Sequence, residues 1–165
     1  MTNKAAVFRL FDHDDAEEVS ALIWHTLRTT SIREYSSEYI EALCQRMRAE
    51  DMIERAAQGH FHVAEQDGTI IACGGIAYHW DDQKTSILLN IFVHPKQQKT
   101  GMGKAVVQKL EEDEIYRNTN KTVLHASIRA VTFYEKLGYR APSGQIEEDG
   151  TVYMEKIHAL EKISV

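Results

Sequence analysis

Apolar positions along the chain follow two periods, and the places where the period changes mark the elements. Residues 7–11 form a short, mostly apolar run that predicts a strand. Asp14 with Glu17, or Asp15 with Glu18, then has capping-box spacing, and Val19, Leu22, Ile23 and Leu27 recur at helical intervals. Ser36 or Ser37 can cap a second helix whose stripe is Ile40, Leu43, Cys44 and Met47, with Gly59 at its far limit. Residues 61–65 and 69–78 flank Gln66-Asp67-Gly68, and Asp-Gly between two apolar runs signals a hairpin. A third run, 86–93, completes a meander that Pro95 ends, because proline has no N–H for a ladder. Val106, Val107, Leu110 and Ile115 predict a helix beyond Gly101, residues 122–126 a strand, 130–137 a short helix stopped by Gly138, and 151–157 a last strand. Hairpins and crossovers in one sheet predict an α/β fold, a mixed, mainly antiparallel sheet flanked by helices. No repeat, low-complexity tract or linker divides residues 1–165, which are expected to form a single domain.

Composition narrows the partners. Lys plus Arg total 19 and Asp plus Glu 25, a net charge of −6, whereas a duplex nucleic-acid binder needs a basic face to neutralise phosphates. No nucleic-acid partner is expected, and Glu111-Glu112-Asp113-Glu114 closely follows the one lysine-rich stretch. The charge-free stretches 68–80 and 85–95 fall short of the roughly 20 apolar residues of a membrane span. The first residues show no apolar core of a secretory signal, so a cytoplasmic protein is expected. Cys44 and Cys73 have neither zinc nor redox-pair spacing and read as buried thiols. His60 and His62 share a strand face, and His79 can lie across the hairpin, but no metal signature joins them and no metal is expected. One of these histidines could serve as a base.

The chemistry concentrates between the third meander strand and the next helix. Gly101 and Gly103 open the backbone at a helix start, where unpaired N–H groups and the macrodipole attract anions. Lys96, Lys99, Lys104 and Lys109 add four cations with no carboxylate between His94 and Lys109. A diphosphate suits this nest. The spacing is wrong for a P-loop, and Val106 stands where a dinucleotide fingerprint needs a small residue.

Gln98-Lys99-Thr100-Gly101-Met102-Gly103 resembles the Gln/Arg-x-x-Gly-x-Gly/Ala motif of the GNAT family of N-acetyltransferases, and Ile91-Phe92-Val93-His94-Pro95 resembles the strand that precedes it. A second match follows in Ser127-Ile128-Arg129-Ala130-Val131-Thr132-Phe133-Tyr134-Glu135-Lys136-Leu137-Gly138-Tyr139. The resemblance implies acetyl-CoA as co-substrate. Its pyrophosphate would rest on the amides of Gln98, Lys99, Thr100, Gly101, Met102, Gly103 and Lys104, and its pantetheine would pair with the backbone of Phe92 and Val93. Ser127, Ala130 and Phe133 belong to the same implied cofactor site. From spacing alone, Ser127 is a helix cap and Ala130, Phe133 and Leu137 share a core-facing side that Tyr134, about 100° round, need not share.

Acetyl transfer to an amine requires the amine to lose a proton and the departing thiolate to gain one. The resemblance gives the second task to Tyr134. The family's usual glutamate is absent from Leu88-Leu89-Asn90-Ile91, where Asn90 can orient a water or the acceptor but cannot take a proton. Glu34 and Tyr35, between the first two helices, are candidate substrate residues. The expected activity is acetyl transfer by direct attack in a ternary complex, onto a small-molecule amine or a protein amino group. The acidic total charge favours a cationic acceptor. A non-catalytic acyl-CoA-binding sensor is the alternative, and a homodimer is compatible with either.

Overall fold

The computed structural model describes residues 5–158. Strands β1 (Val7–Leu10), β2 (His60–Gln66), β3 (Thr69–His79), β4 (Asp82–Val93), β5 (Lys121–Ala126) and β6 (Val152–Ile157) form one 6-stranded sheet in sequential order. β1 pairs antiparallel with β2 and β5 with β6, while β4 and β5 run parallel. The tight connections at 67–68 and 80–81 can join only antiparallel neighbours. The mixed, mainly antiparallel α/β architecture expected from the sequence is the one observed. The helices are α1 (Ala16–Thr29), α2 (Ser37–Gln45), α3 (Ala49–Ala56), α4 (Met102–Glu111), α5 (Glu114–Arg117) and α6 (Val131–Lys136). Among the described residues no helix is long and apolar enough to cross a membrane.

Contacts group the chain into two compact units, one of residues up to Gly75 with Asn90–Leu110, the other of Ile76–Leu89 with residues from Glu111 onward. In the first, Val19, Ile23 and Leu27 of α1, Ile40 and Cys44 of α2 and Met52 of α3 form one core with Val63 of β2 and Cys73 of β3. The hairpin turn has positive φ at both Asp67 (51°) and Gly68 (78°), the geometry that Asp-Gly favours. Gly74 lets α4 approach β3 closely. A Cβ there would meet Val106 Cγ1 at 2.8 Å and Ile91 Cγ1 and Leu110 Cδ1 at 3.2 Å. Both cysteines are free and buried, as expected, and burial pushes the Cys73 thiol up to about 12.

Two boundaries in this unit differ from the sequence expectation. The capping box belongs to Asp12 and Asp15, not to Asp14 or Asp15 with a glutamate: Asp12 Oδ1 accepts from Asp14 N at 2.9 Å and Asp15 Oδ2 from Asp12 N at 2.8 Å. Asp12 has the extended backbone a cap requires, whereas Asp15 is already helical. The predicted second helix is two helices. Ser36 caps α2 through Tyr39 N, but Ser20 Oγ and Trp24 Nε1 both donate to Met47 O, at 2.7 and 2.9 Å, and hold that carbonyl outside a helical ladder. Arg48, extended, then gives its N–H to Asp51 at 2.9 Å to open α3.

In the second unit Ala77, Ile87 and Val123 form a small core with Leu89 and Tyr153 against it. Ile115, expected on the helix that follows Gly101, lies instead in α5. Asp113 is extended and caps that helix by accepting from Ile115 N at 2.9 Å. A buried chain of hydroxyls ties β4 to β5: Ser86 Oγ lies 2.9 Å from Thr119 Oγ1 and 2.8 Å from Thr122 Oγ1, and Thr122 lies 2.7 Å from His158 Nε2. Thr119 Oγ1 donates to Ile115 O and Tyr116 O. The arrangement that satisfies every contact therefore runs one way, His158 Nε2–H to Thr122 to Ser86 to Thr119. The His158 ring also stacks on Tyr116 at 3.8 Å, and its main-chain N–H donates to Asn120 O at 3.0 Å.

Candidate functional site

In the first unit, β4 carries a left-handed residue within its length, Asn90, whose φ is 53°. Asparagine tolerates that region better than most residues, which gives Asn90 a backbone reason for its identity. Beyond it Ile91, Phe92 and Val93 are half-buried, Phe92 packing on the core, and His94 N donates to Ile71 O at 2.8 Å. His94 caps the 3₁₀ turn Pro95–Gln97, its Nδ1 accepting from Lys96 N at 3.1 Å. Gln98 Nε2 donates to Val93 O at 3.0 Å and Thr30 Oγ1 at 3.3 Å, clamping the strand exit to the end of α1. Lys99 (φ 64°) and Gly101 (φ 89°) are left-handed, and Thr100 Oγ1 donates to Gln97 O. The first main-chain bond into α4 is Ala105 N to Gly101 O at 3.0 Å. Among the described residues the amides of 99–104 meet no protein acceptor, so Lys99, Thr100, Gly101, Met102, Gly103 and Lys104 form a continuous donor nest at the positive end of α4. Lys96, Lys99 and Lys104 are exposed beside it.

Asn90 is engaged by the protein. Its Oδ1 accepts from Arg55 Nη1 at 3.3 Å, its Nδ2 points to Met47 Sδ at 3.8 Å, and its main-chain oxygen lies 3.4 Å from Cys73 Sγ. Arg55 carried no motif, yet it stands at i+3 from the core residue Met52, and a charged residue on a core-facing stripe was a readable signal. Glu34 and Tyr35 follow the 3₁₀ turn Ser31–Arg33, and both give their N–H to Ser31 O. The Tyr35 ring stacks on Tyr39 at 4.6 Å and packs against the core, while Glu34 is half-buried.

In the second unit Ser127 has the extended backbone of a cap, but its hydroxyl makes no cap bond, and a 3₁₀ turn, Ile128–Ala130, precedes α6. The expected faces of α6 are exchanged. Ala130, Phe133 and Leu137 are half-buried, and Tyr134 is the buried member, 8% exposed. Its ring meets Phe133 at 4.9 Å and Tyr139 at 5.9 Å, both edge to face. Tyr134 O accepts from Leu137 N and Tyr139 N, closing the helix before Gly138, whose φ is 96°. Burial raises the Tyr134 phenol well above its ordinary value, so the proton stays in place at neutral pH. Among the described residues no three or more His, Cys, Asp and Glu side chains converge as metal ligands. His62 is buried on β2, and His79 stacks on Trp80 at the end of β3. A cleft near His79, Asp82, Lys121 and Tyr153 encloses about 130 Å³, too small for a typical ligand pocket of roughly 300 Å³ or more.

A family profile described as acetyltransferase (GNAT) domain matches residues 31–157. The chain is 36% identical over 66 residues to the uncharacterized protein YyaT of Bacillus subtilis, covering 40% of this chain and 45% of that protein. It is 35% identical over 60 residues to glucosamine 6-phosphate N-acetyltransferase of Trypanosoma brucei brucei, covering 36% of this chain and 41% of that enzyme. The matched segments thus span less than half the length of these curated relatives. The fold superposes with a TM-score of 0.80 and 19% identity on the PaiA N-acetyltransferase of Thermoplasma acidophilum, solved in complex with coenzyme A, over 94% of this chain and 100% of that one. A GNAT-family acetyltransferase of Staphylococcus aureus Mu50 superposes with a TM-score of 0.70 and 18% identity, again over 94% and 100%.

Proposed function

The chain belongs to the GNAT family of acetyltransferases, and from that premise we propose that it is an N-acetyltransferase that moves the acetyl group of acetyl-CoA to an amine by direct attack in a ternary complex. The observation that carries this reading is the donor nest of residues 99–104, whose amides meet no protein acceptor among the described residues and suit a diphosphate. Acetyl-CoA, the family's co-substrate, supplies an activated acyl group. The nest, with Gln98 and the exposed lysines, holds the phosphates, and the main chain of Phe92 and Val93 aligns the pantetheine arm. Ser127, Ala130 and Phe133 complete the cofactor contacts by resemblance. In the balanced reaction a C–N bond forms as the C–S bond breaks, the amine gives up one proton and the sulfur takes one. Tyr134 is assigned the proton for sulfur. A phenol held above its ordinary value of about 10 is a weaker acid than a thiol of about 8.5, so full proton transfer is uphill and Tyr134 acts first as a hydrogen-bond donor to the sulfur as charge builds on it. Asn90 positions a water or the acceptor nitrogen without itself taking the proton. Glu34 and Tyr35 are proposed to line the acceptor's approach.

The second reading, an acyl-CoA sensor without turnover, draws on the Arg55 and Met47 contacts that already occupy Asn90 and on the absence of a carboxylate at that position. One experiment separates the two. Acetyl-CoA binding is followed by calorimetry, and thiol release is followed against a panel of amines that includes glucosamine 6-phosphate, the acceptor named for the trypanosomal relative. Binding with turnover supports the enzyme; binding without turnover on any amine supports the sensor, and no binding rejects both.

A further inference from the structure

Arg55 lies half-buried on the stripe of α3 that carries Met52 into the core. Among the described residues its guanidinium has no carboxylate partner. Nη1 donates to Asn90 Oδ1 and Nη2 to Arg46 O, each at 3.3 Å, so both partners are neutral and both bonds are long. Arg9 and Arg28 differ, for each closes a carboxylate pair at 2.7 to 2.8 Å. The carboxylate one turn back on α3, Asp51, is committed to Arg48 N. A half-buried cation with spare donors and no counter-charge is costly to keep, and its planar fork matches a carboxylate or phosphate.

We propose that Arg55 binds an anionic group on the acceptor, so that the acceptor is an amine bearing a carboxylate or phosphate in the same molecule. The proposal rests on the acetyl-transfer reading, in which Asn90 faces the acceptor nitrogen. The Arg55–Asn90 bond sets an anion anchor beside the residue that orients the amine. A purely cationic amine is disfavoured next to an unneutralised guanidinium, which reverses the preference suggested by the net charge of −6. Local charge outweighs the total because distant surface charges are screened beyond about 8 Å at physiological salt.

The test uses matched acceptors, phosphoethanolamine against ethanolamine and β-alanine against its amide, in steady-state kinetics. Calorimetric binding of phosphoethanolamine and β-alanine is measured without acetyl-CoA. The wild-type enzyme is expected to favour the anionic member of at least one pair by roughly tenfold or more in kcat/KM, the size of a charge-assisted hydrogen bond. Arg55→Gln should erase that preference, the anionic member losing roughly tenfold or more in kcat/KM beyond whatever loss both members share through the freed Asn90, and Arg55→Lys should restore part of it. The preferred pair tells phosphate from carboxylate. Equal use of both members of each pair, or equal losses for both in Arg55→Gln, would overturn the proposal. If no amine is acetylated, the acetyl-transfer reading fails separately and binding decides: weaker anion binding in Arg55→Gln supports the anchor, and unchanged or absent binding rejects it.

Discussion

Tyr134 shows how one side chain's surroundings set its chemistry. The motif identified it, but its burial was not legible, because a helical wheel gives the angle to Phe133 and not which side of α6 meets the rest of the protein. With the phenol held above its usual value by burial, Tyr134 stays protonated across the working range, and the alkaline limb of kcat should contain no fall from it up to pH about 10. Tyr134→Phe should lower kcat roughly 100-fold or more with the acetyl-CoA dissociation constant unchanged; a kcat equal to wild type would remove the acid role. Two glycines provide a contrast at the same scale. Gly74→Ala drives a methyl to within 2.8 Å of Val106 Cγ1 and should destabilise by about 1–3 kcal/mol, read as a lower denaturation midpoint. Gly101→Ala meets nothing within 4 Å, so its cost is the left-handed backbone alone, about 1 kcal/mol.

Elements were legible where a local signal decides them and were lost where a tertiary bond does. Asp-Gly named its own turn, and Gly138 its own helix end. The break between α2 and α3 was hidden because it depends on Ser20 and Trp24, distant in sequence, drawing Met47 O aside. Asp15 does stand at the N-cap position of α1, but the capping box was read one turn late because Asp12-x-x-Asp15 uses the shorter carboxylate for the reciprocal bond. Asp15 also joins β1 to this turn through Arg9, with Nη1–Oδ2 at 2.7 Å and Nη2–Oδ1 at 2.9 Å. The Arg9 hydrogen bonds hold the Asp15 carboxyl below its usual value despite its burial. A depressed folded-state pKa stabilises above the unfolded value of about 3.9 and is lost as pH falls through the folded one. Asp15→Asn should therefore be less stable than wild type at pH 7 by about 1.5–3 kcal/mol, and chemical denaturation at decreasing pH should show the gap closing below pH about 4.

For the molecule as a whole, composition excluded more than it assigned. A net charge of −6 described the total and missed both the lysine-flanked nest and Arg55, which has no carboxylate partner among the described residues, since an average carries no positions. A nest whose donors meet no acceptor among the described residues predicts linkage: acetyl-CoA at 100 times its dissociation constant should add about 2.7 kcal/mol, a rise in Tm of roughly 5–10 °C for a chain of this size. A Tm insensitive to acetyl-CoA would count against the cofactor site. The hydroxyl chain that ends at His158 has a different consequence for the fold. Burial lowers the affinity of that imidazole for a second proton, with Lys156 adding to the effect. Because the direction of the chain keeps a proton on Nε2 in either charge state, any second proton enters at Nδ1. The mooring of β6 to β5 is thus a catch without an acid release, and the Nε2–H resonance should persist in nuclear magnetic resonance spectra while the ring titrates.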